Sequence, residues 1–205
     1  MRTQALHARA ERTGLVSAML AGNASRDGYV LLLRNLLPAY QEIERGLDTH
    51  RQTMDGLARP EMYRGTAIEA DLAALGGADW RDRLTLLPAA ARYAHRVAVA
   101  ARGDGMRLIA HAYVRYLGDL SGGQMLKRLL ARTLGLPTGA LAFHEFPAIP
   151  DLIAFKTGVR AALDRMGHEI GDTTGVVEEA AVAFRLNIHV SEAAQLAVER
   201  LRARA

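Results

Sequence analysis

Residues 113–130, YVRYLGDLSGGQMLKRLL, carry an apolar stripe at helical spacing that continues on both sides of three glycines. Each glycine inside a helix costs about 1 kcal/mol relative to alanine, so a helix that keeps three of them should use the missing side chains. Gly118 and Gly122 are four residues apart and share one helix face, with Asp119 at its rim. A flat, bulky ligand would fit against such a face.

The same segment allows a second interpretation. Ser121, Gly122 and Gly123 could form a turn between two helices, with Gly122 as the left-handed residue that ends the first helix. The segment taken alone does not decide between a bare helical face and a turn.

The rest of the chain shows one helical pattern after another and no convincing alternating strand. Pro38 lies inside the second pattern and is predicted to kink that helix. Residues 135–150 are rich in proline and glycine and are predicted to form an ordered loop. The predicted helices cover about residues 3–20, 25–46, 60–75, 88–102, 106–134, from about 151 onward, and 174–202. A single all-α domain over residues 1–205 is therefore expected.

Composition removes several classes of function. The 205 residues include no cysteine, which excludes disulfides, thiolate ligands and covalent c-type haem attachment. The net charge of +4 comes from scattered arginines, since Lys127 and Lys156 are the only lysines, so nucleic-acid binding is not expected. No stretch approaches the ~18 apolar residues of a membrane span, and the N-terminus does not resemble a signal peptide. We expect a soluble, cytoplasmic protein that does not bind membranes.

The spacing of the seven histidines limits the metal chemistry. No two are three or four residues apart, so no helix offers a histidine pair for zinc. No glutamate precedes a histidine by three residues, which removes the repeat of di-iron bundles. Haem remains possible, because the macrocycle supplies four ligands to the iron and one imidazole is enough.

His7 is the candidate for that imidazole. It lies in QALHARAERTG, and Glu11 one helical turn later could fix the orientation of its ring. A lone helical histidine is nonetheless structural or solvated in most proteins. His111, in the glycine-containing helix, is expected to be a packed structural residue, and its nearness to the predicted pocket makes it the next candidate. The other histidines are assigned to the surface or the core, namely His50, His95, His144, His168 and His189.

Several segments together resemble the haem oxygenases of the soluble bacterial, biliverdin-producing type. The string YLGDLSGGQ, with Ala112 and Tyr113 before it and Leu136 and Pro137 behind it, is similar to the distal-helix signature of that family. The N-terminal histidine with glutamate four residues later, followed by RDG at residues 26–28, is similar as well. The resemblance extends from about residue 4 to about residue 195.

The resemblance implies an architecture and a set of roles. Haem b would be sandwiched between a proximal N-terminal helix and a glycine-kinked distal helix. His7 would be the axial ligand to the iron, with Glu11 beside it. Gly118 and Gly122 would touch the other face of the macrocycle, and Asp119 would organise water beside the bound oxygen.

Further sites follow from the resemblance. Lys156 and Arg160, four residues apart, would lie at the propionate edge with Tyr113 nearby, although such a pair is usually only a solvated face. Many relatives carry a lysine three residues before the proximal histidine, where this chain has Gln4. That departure bears on how the haem is rotated and on which meso carbon is attacked; the α position is favoured.

The last helix contributes the segment AFRLNIHV, residues 183–190, which is similar to the family's distal segment. Phe184 would wall the pocket, and Asn187 and Arg115 would join the water network of Asp119. The competing interpretation is that Phe184 is simply part of the core.

The activity implied is oxidative cleavage of haem to biliverdin, with release of CO and ferrous iron. O2 and external electrons would be consumed, and the donor would be a ferredoxin, a flavodoxin or an NAD(P)H-dependent reductase, since no flavin or nicotinamide site is recognisable. A monomer is expected. A non-enzymatic haem carrier could use the same pocket, but it would not need Asp119 beside the glycines. A di-iron oxidase would need a histidine spacing that this chain does not have. A thiamin-degrading relative would need a cysteine nucleophile, and this chain has no cysteine.

Overall fold

The computed structural model describes residues 3–203, with the backbone alone at residue 138, and no strand occurs in that range. The expectation of an all-α fold is confirmed. The predicted domain over 1–205 includes four terminal residues outside the described range. The helices are α1 (Gln4–Glu11), α2 (Gly14–Leu20), α3 (Arg26–Thr49), α4 (Gly65–Gly76), α5 (Trp80–Arg83), α6 (Pro88–Ala100), α7 (Leu108–Leu134), α8 (Leu152–Ile170) and α9 (Thr174–Arg202).

Helix α3 forms the centre of the core. Its residues Tyr40, Ile43 and Leu47 are fully buried, and the helix packs against α4, α6, α7 and α9. Pro38 lies inside α3, and the helix runs through it as one element. The Ser25 hydroxyl caps α3 by accepting a hydrogen bond from the Gly28 backbone N–H at 3.2 Å. The central helix is thus fixed at its start by local chemistry and along its length by burial.

The predicted first helix, residues 3–20, is wrong in one respect, because it is two helices. Gly14 begins α2 with a φ of +59°, which a residue with a side chain rarely adopts. A Cβ placed at Gly14 would lie 2.5 Å from the backbone carbonyl carbon of Ser191 in α9. The Ser191 hydroxyl also accepts a hydrogen bond from the Val16 backbone N–H at 3.1 Å. Close approach of α9 therefore breaks the helical pattern and gives α1 its own direction.

Helix α7 is continuous over 27 residues and contains Gly118, Gly122 and Gly123 in its interior. The alternative of a turn between two helices at residues 121–123 is therefore wrong. The helix ends at Gly135, which has a φ of +60° and a ψ of 30°.

Other boundaries differ little from the predictions. The third predicted helix, from residue 60 to about 75, consists of a short 3-10 turn at Pro60–Met62 followed by α4. Residues 135–150 form the predicted loop and include two more 3-10 turns, Thr138–Ala140 and Ala142–His144. Over residues 3–203, no helix is both long and apolar enough to cross a membrane.

Candidate functional site

A cavity of about 770 Å³ lies between α1, α7, α8 and α9. Its volume falls in the range of protein pockets that bury organic ligands. His7 and Glu11 line it from α1, Gly118 and Gly122 from α7, and Phe184 from α9. The structure therefore brings together residues that are far apart in the sequence and that the sequence predicted to face one ligand.

A second cavity of about 180 Å³ adjoins the first. His7, Gly118, Gly122 and Phe184 line both cavities. The smaller cavity reaches from Asp119 to the interior side of α3. The two cavities are thus neighbouring parts of one site and share these lining residues.

The two predicted contact glycines expose bare backbone to the site. A Cβ built on Gly118 or on Gly122 would meet no atom within 4 Å, apart from the helix's own backbone. No packing against protein therefore requires glycine at these two positions. Gly123 differs, because a Cβ there would lie 3.7 Å from the backbone oxygen of His144. The open space above Gly118 and Gly122 fits a planar ligand lying against the helix.

His7 is presented to the site by a helix that rests on apolar contacts. Leu6 and Ala10 of α1 pack against a small cluster that includes Phe184, and the His7 ring lies edge-on to the Phe184 ring at 6.1 Å between centroids. The His7 side chain is 57% exposed, and its Nδ1 lies 3.7 Å from Glu11 Oε1. With Nδ1 turned toward Glu11, Nε2 is the nitrogen left for a ligand.

Asp119 belongs to a buried hydrogen-bond network. Its Oδ2 accepts a hydrogen bond from the Tyr40 hydroxyl at 2.5 Å, and its Oδ1 lies 3.6 Å from Arg115 Nη2. Arg115 donates to the Tyr40 hydroxyl through Nε at 2.9 Å and to Asn187 Oδ1 through Nη1 at 2.6 Å. The structure brings the three residues of the predicted network close together around the Tyr40 hydroxyl, namely Asp119, Arg115 and Asn187.

Burial sets the protonation behaviour of this network. Burial raises the pKa of Asp119, and the opposing effects of Arg115 and the Tyr40 hydrogen bond offset it only in part. Burial also raises the pKa of Tyr40 well above its ordinary value, against the opposing charge of Arg115. The network therefore contains a carboxyl group that takes up a proton more readily than an exposed aspartate.

Tyr40 is a functional candidate that the sequence analysis missed. A usable signal existed, because Tyr40 precedes Ile43 by three residues on the buried face of α3, and a buried tyrosine hydroxyl usually finds a partner. The sequence could not identify that partner, since Asp119 lies 79 positions away.

The remaining predicted residues are distributed unevenly. Tyr113 and Arg160 line the larger cavity, and Asn187 lines the smaller one. Lys156 lies on the same helix as Arg160, but it does not reach the lining of either cavity. Phe184 is buried and lines both cavities, so it is at once a wall of the site and a core residue.

His111, the other histidine considered as a ligand, is fully buried and lines neither cavity. Its Nε2 lies 3.0 Å from Glu179 Oε1, and Glu179 also accepts hydrogen bonds from Arg96. Burial would raise the pKa of Glu179, but the bonds from His111 and Arg96 outweigh it and lower the pKa to about 2. This trio joins α6, α7 and α9 behind the site.

No cluster of three or more potential metal-ligating side chains occurs in the part of the chain that the structure describes.

Comparisons with known proteins identify a family and several similar proteins. The family model described as "Heme oxygenase" matches residues 1–193. "Heme oxygenase 1" of Nostoc sp. is 36% identical over 189 residues, covering 91% of this chain and 79% of that protein. "Heme oxygenase 1" of Homo sapiens is 34% identical, covering 94% of this chain and 69% of that protein.

Solved structures are similar over nearly the whole chain. The crystal structure of heme oxygenase-1 from Synechocystis sp. in complex with heme matches with a TM-score of 0.87 and 32% identity, covering 98% of this chain and 92% of that one. The heme oxygenase of Leptospira interrogans matches with a TM-score of 0.85 and 31% identity, covering 93% of this chain and 94% of that one.

Proposed function

This chain belongs to the haem oxygenase family, and we propose that the larger of its two adjoining cavities binds one haem b, which the enzyme opens to biliverdin with release of CO and ferrous iron. The observation that carries the proposal is that two different walls of the larger cavity each offer what a haem would need. One wall of the 770 Å³ cavity presents the His7 imidazole, and another presents side-chain-free backbone at Gly118 and Gly122.

Haem, when bound, supplies the iron that takes up O2 and also the meso carbon that is oxidised. His7 would hold the iron through Nε2, because Nδ1 faces Glu11. A hydrogen bond from Nδ1 to Glu11, formed by a small movement of two exposed side chains, would fix the ring orientation. Phe184 would limit the rotation of the same ring by edge contact.

Gly118 and Gly122 would let the macrocycle lie directly against the α7 backbone. Because Gly118 and Gly122 carry no side chains, the α7 backbone itself would form the wall beside the macrocycle and would limit the space on that face. We propose the α meso carbon as the edge attacked.

Asp119 would hold a proton for the reaction and transfer it through ordered water. Its carboxyl group lies on the wall of the smaller cavity, beside Gly118. Tyr40 and Arg115 would keep it in one orientation, and Asn187 would hold Arg115 from the opposite side. The raised pKa of Asp119 supports a role in which the group takes up and releases protons.

Arg160 would pair with a haem propionate at the mouth of the larger cavity, where Tyr113 is partly exposed. Lys156, one helical turn earlier, would add positive potential rather than direct contact. This division of roles follows from the cavity lining, which includes Arg160 and leaves out Lys156.

O2 and electrons would come from outside the chain. The donor would be a ferredoxin, a flavodoxin or an NAD(P)H-dependent reductase, drawn to exposed arginines near the site by opposite charge. We propose that the domain over residues 1–205 acts as a monomer. Electron transfer that is indifferent to ionic strength would contradict charge-guided docking.

The decisive experiment is to titrate the purified protein with hemin and then to add a reductant in air. We expect a Soret band typical of histidine ligation, followed by its loss and the appearance of a biliverdin spectrum and CO. Asp119→Ala should keep the Soret band and lose biliverdin formation. If bound haem of the unmodified protein survived reductant and air, a haem carrier would be the better description.

A further inference from the structure

Two polar side chains of the smaller cavity have no part in the function proposed above. His144, in the loop after α7, and Tyr29, in α3, both line that cavity and are 4% and 1% exposed. Their rings are stacked, with 6.1 Å between centroids and 18° between planes. The Nε2 of His144 and the hydroxyl of Tyr29 each lack a hydrogen-bond partner within residues 3–203.

Unpaired polar atoms at this depth are costly. A buried donor or acceptor without a partner costs about 1–3 kcal/mol, and most such groups in proteins are paired with protein or water. The cavity wall next to them includes the apolar side chains of Leu32, Leu33 and Leu36 of α3, and no protein atom in residues 3–203 forms a hydrogen bond with either group.

His144 cannot easily turn away from the cavity. Gln124 Nε2 donates a hydrogen bond to the His144 backbone oxygen at 3.0 Å, and the preceding residue, Phe143, is held through its N–H by Asp71 at 2.9 Å. The backbone on both sides of the imidazole is thus anchored. The anchored backbone and the stacking on the Tyr29 ring hold the imidazole against the cavity.

The imidazole is neutral at physiological pH. Burial, followed by the charges of Lys127, Arg115 and Arg64, lowers the pKa of His144 to about 4. A neutral imidazole offers one N–H donor and one nitrogen acceptor. That pair of groups suits a small neutral partner that both donates and accepts hydrogen bonds.

We propose that the smaller cavity is a hydrated chamber in which His144 and Tyr29 bind ordered water. The volume of this cavity, about 180 Å³, is well above the ~10–15 Å³ that one water needs, so the cavity has room for several waters. Asp119 and Arg115 line the same cavity, so the water held at the His144 end adjoins the group that handles the proton.

The catalytic consequence rests on the proposed function. His144 is a positioning residue that does not touch haem and acts through water that replenishes the proton on Asp119. Without His144 and Tyr29, the end of the cavity lined by Leu32, Leu33 and Leu36 would lose its polar groups and would stay dry, while Asp119 and Arg115 would still line the other end.

The hydration itself is tested on the haem-free protein, so that it does not depend on the activity. A dry apolar cavity takes up xenon, whereas a hydrated one does not. We expect no xenon in this cavity of the unmodified protein, in crystals under xenon pressure, and ordered water beside both rings. The double variant Tyr29→Phe/His144→Phe keeps an aromatic ring at both positions and should bind xenon at the leucine-lined end of this cavity. Xenon bound equally by the unmodified protein and the double variant would overturn the proposal.

The catalytic role is tested on the haem complex. His144→Phe should leave the haem affinity unchanged, lower the rate of biliverdin formation by about tenfold and raise its solvent isotope effect. His144→Gln keeps a donor and an acceptor and should restore most of the rate. Equal rates for the phenylalanine variant and the unmodified protein, or equal loss in both variants, would overturn the positioning role. Failure of the unmodified protein to bind haem would instead overturn the proposed function and leave the xenon result valid.

Discussion

The Tyr40 hydroxyl donates a hydrogen bond of 2.5 Å to Asp119 Oδ2, although the two residues are 79 positions apart. The same hydroxyl accepts hydrogen bonds from Arg115. Tyr40 is fully buried in α3, so the central helix of the core directly fixes the carboxylate beside the glycine-bearing face of α7. The stability of the fold and the geometry of the proposed proton donor therefore depend on one side chain.

Tyr40→Phe removes this hydroxyl and keeps the ring. We expect biliverdin formation to fall by about tenfold to a hundredfold, because Asp119 and Arg115 lose their shared partner. Haem affinity should change by less than about twofold, since Tyr40 lines neither cavity. The rate is measured by bilin absorbance with a fixed electron donor.

The control for that change is Tyr63→Phe. Tyr63 also gives a hydroxyl to a carboxylate, Asp48 Oδ1, at 2.9 Å, and it lines neither cavity. The control should keep full activity. Comparable losses in Tyr40→Phe and Tyr63→Phe would mean that the effect is general destabilisation.

His7→Ala should remove the axial nitrogen and with it the Soret and electron-paramagnetic-resonance features of histidine ligation. Imidazole added to the solution should restore part of these features, because the space left by the side chain would adjoin the iron of the bound haem. His95→Ala is the control, since His95 is exposed on α6 and lines neither cavity. An unchanged coordination spectrum in His7→Ala would refute the assignment of the ligand.

Gly118→Ala should separate stability from haem binding. The added methyl group meets no protein atom within 4 Å other than its own helix, so the haem-free protein should gain about 1 kcal/mol from helix propensity. The same methyl group occupies space where the macrocycle would lie, and haem affinity should fall by at least about tenfold. Thermal unfolding and hemin titration measure the two effects.

Gly158→Ala is matched to this change. Gly158 lies inside α8, a Cβ there also meets nothing within 4 Å, and the residue lines neither cavity. The same gain in stability with unchanged haem affinity is expected. Loss of affinity in both variants would exclude a specific role for the α7 glycine face.

Arg160→Ala should weaken haem binding by about threefold to tenfold, because an exposed ion pair with a propionate is lost. The effect should shrink as salt is raised. Lys156→Ala should have a smaller effect, since Lys156 lies outside the cavity lining. Arg165→Ala, an exposed position on the same helix, serves as the control for net charge. A larger loss from Lys156→Ala than from Arg160→Ala would reverse the proposed roles.

Glu179→Gln tests the ionic trio behind the site. The folded pKa of Glu179, about 2, lies below its ordinary value of 4.5, so its stabilising contribution is present above pH 4.5 and is lost as the pH falls toward 2. The variant should lower the free energy of unfolding by about 2–3 kcal/mol at neutral pH. The difference between the two proteins should shrink in the acid range.

Glu178→Gln is the control for this pH profile, because Glu178 is an exposed neighbour on the same helix. It should unfold like the original protein at every pH. A Glu179→Gln protein whose stability deficit stayed constant from pH 7 to pH 2 would show that the carboxylate charge is not the cause.

Local patterns were sufficient for much of this protein. The helical periodicity predicted the all-α fold and the extent of α9, and the loop at 135–150 followed from its prolines and glycines. The paired spacing of Gly118 and Gly122 indicated a bare face, and the open space above both residues agrees with it. The break between α1 and α2 escaped prediction because its cause is the backbone of Ser191, which the local sequence does not contain.

The sequence by itself determined which segments are helical and that Gly118, Gly122 and Asp119 belong to one helix, because each depends on residue types a few positions apart. Only the tertiary structure decided that Tyr40 holds Asp119, that Asn187 holds Arg115, and that His144 and Tyr29 share one cavity. Those relationships join segments that are adjacent in space and distant along the chain. They exist only once burial of the apolar faces has brought the helices together.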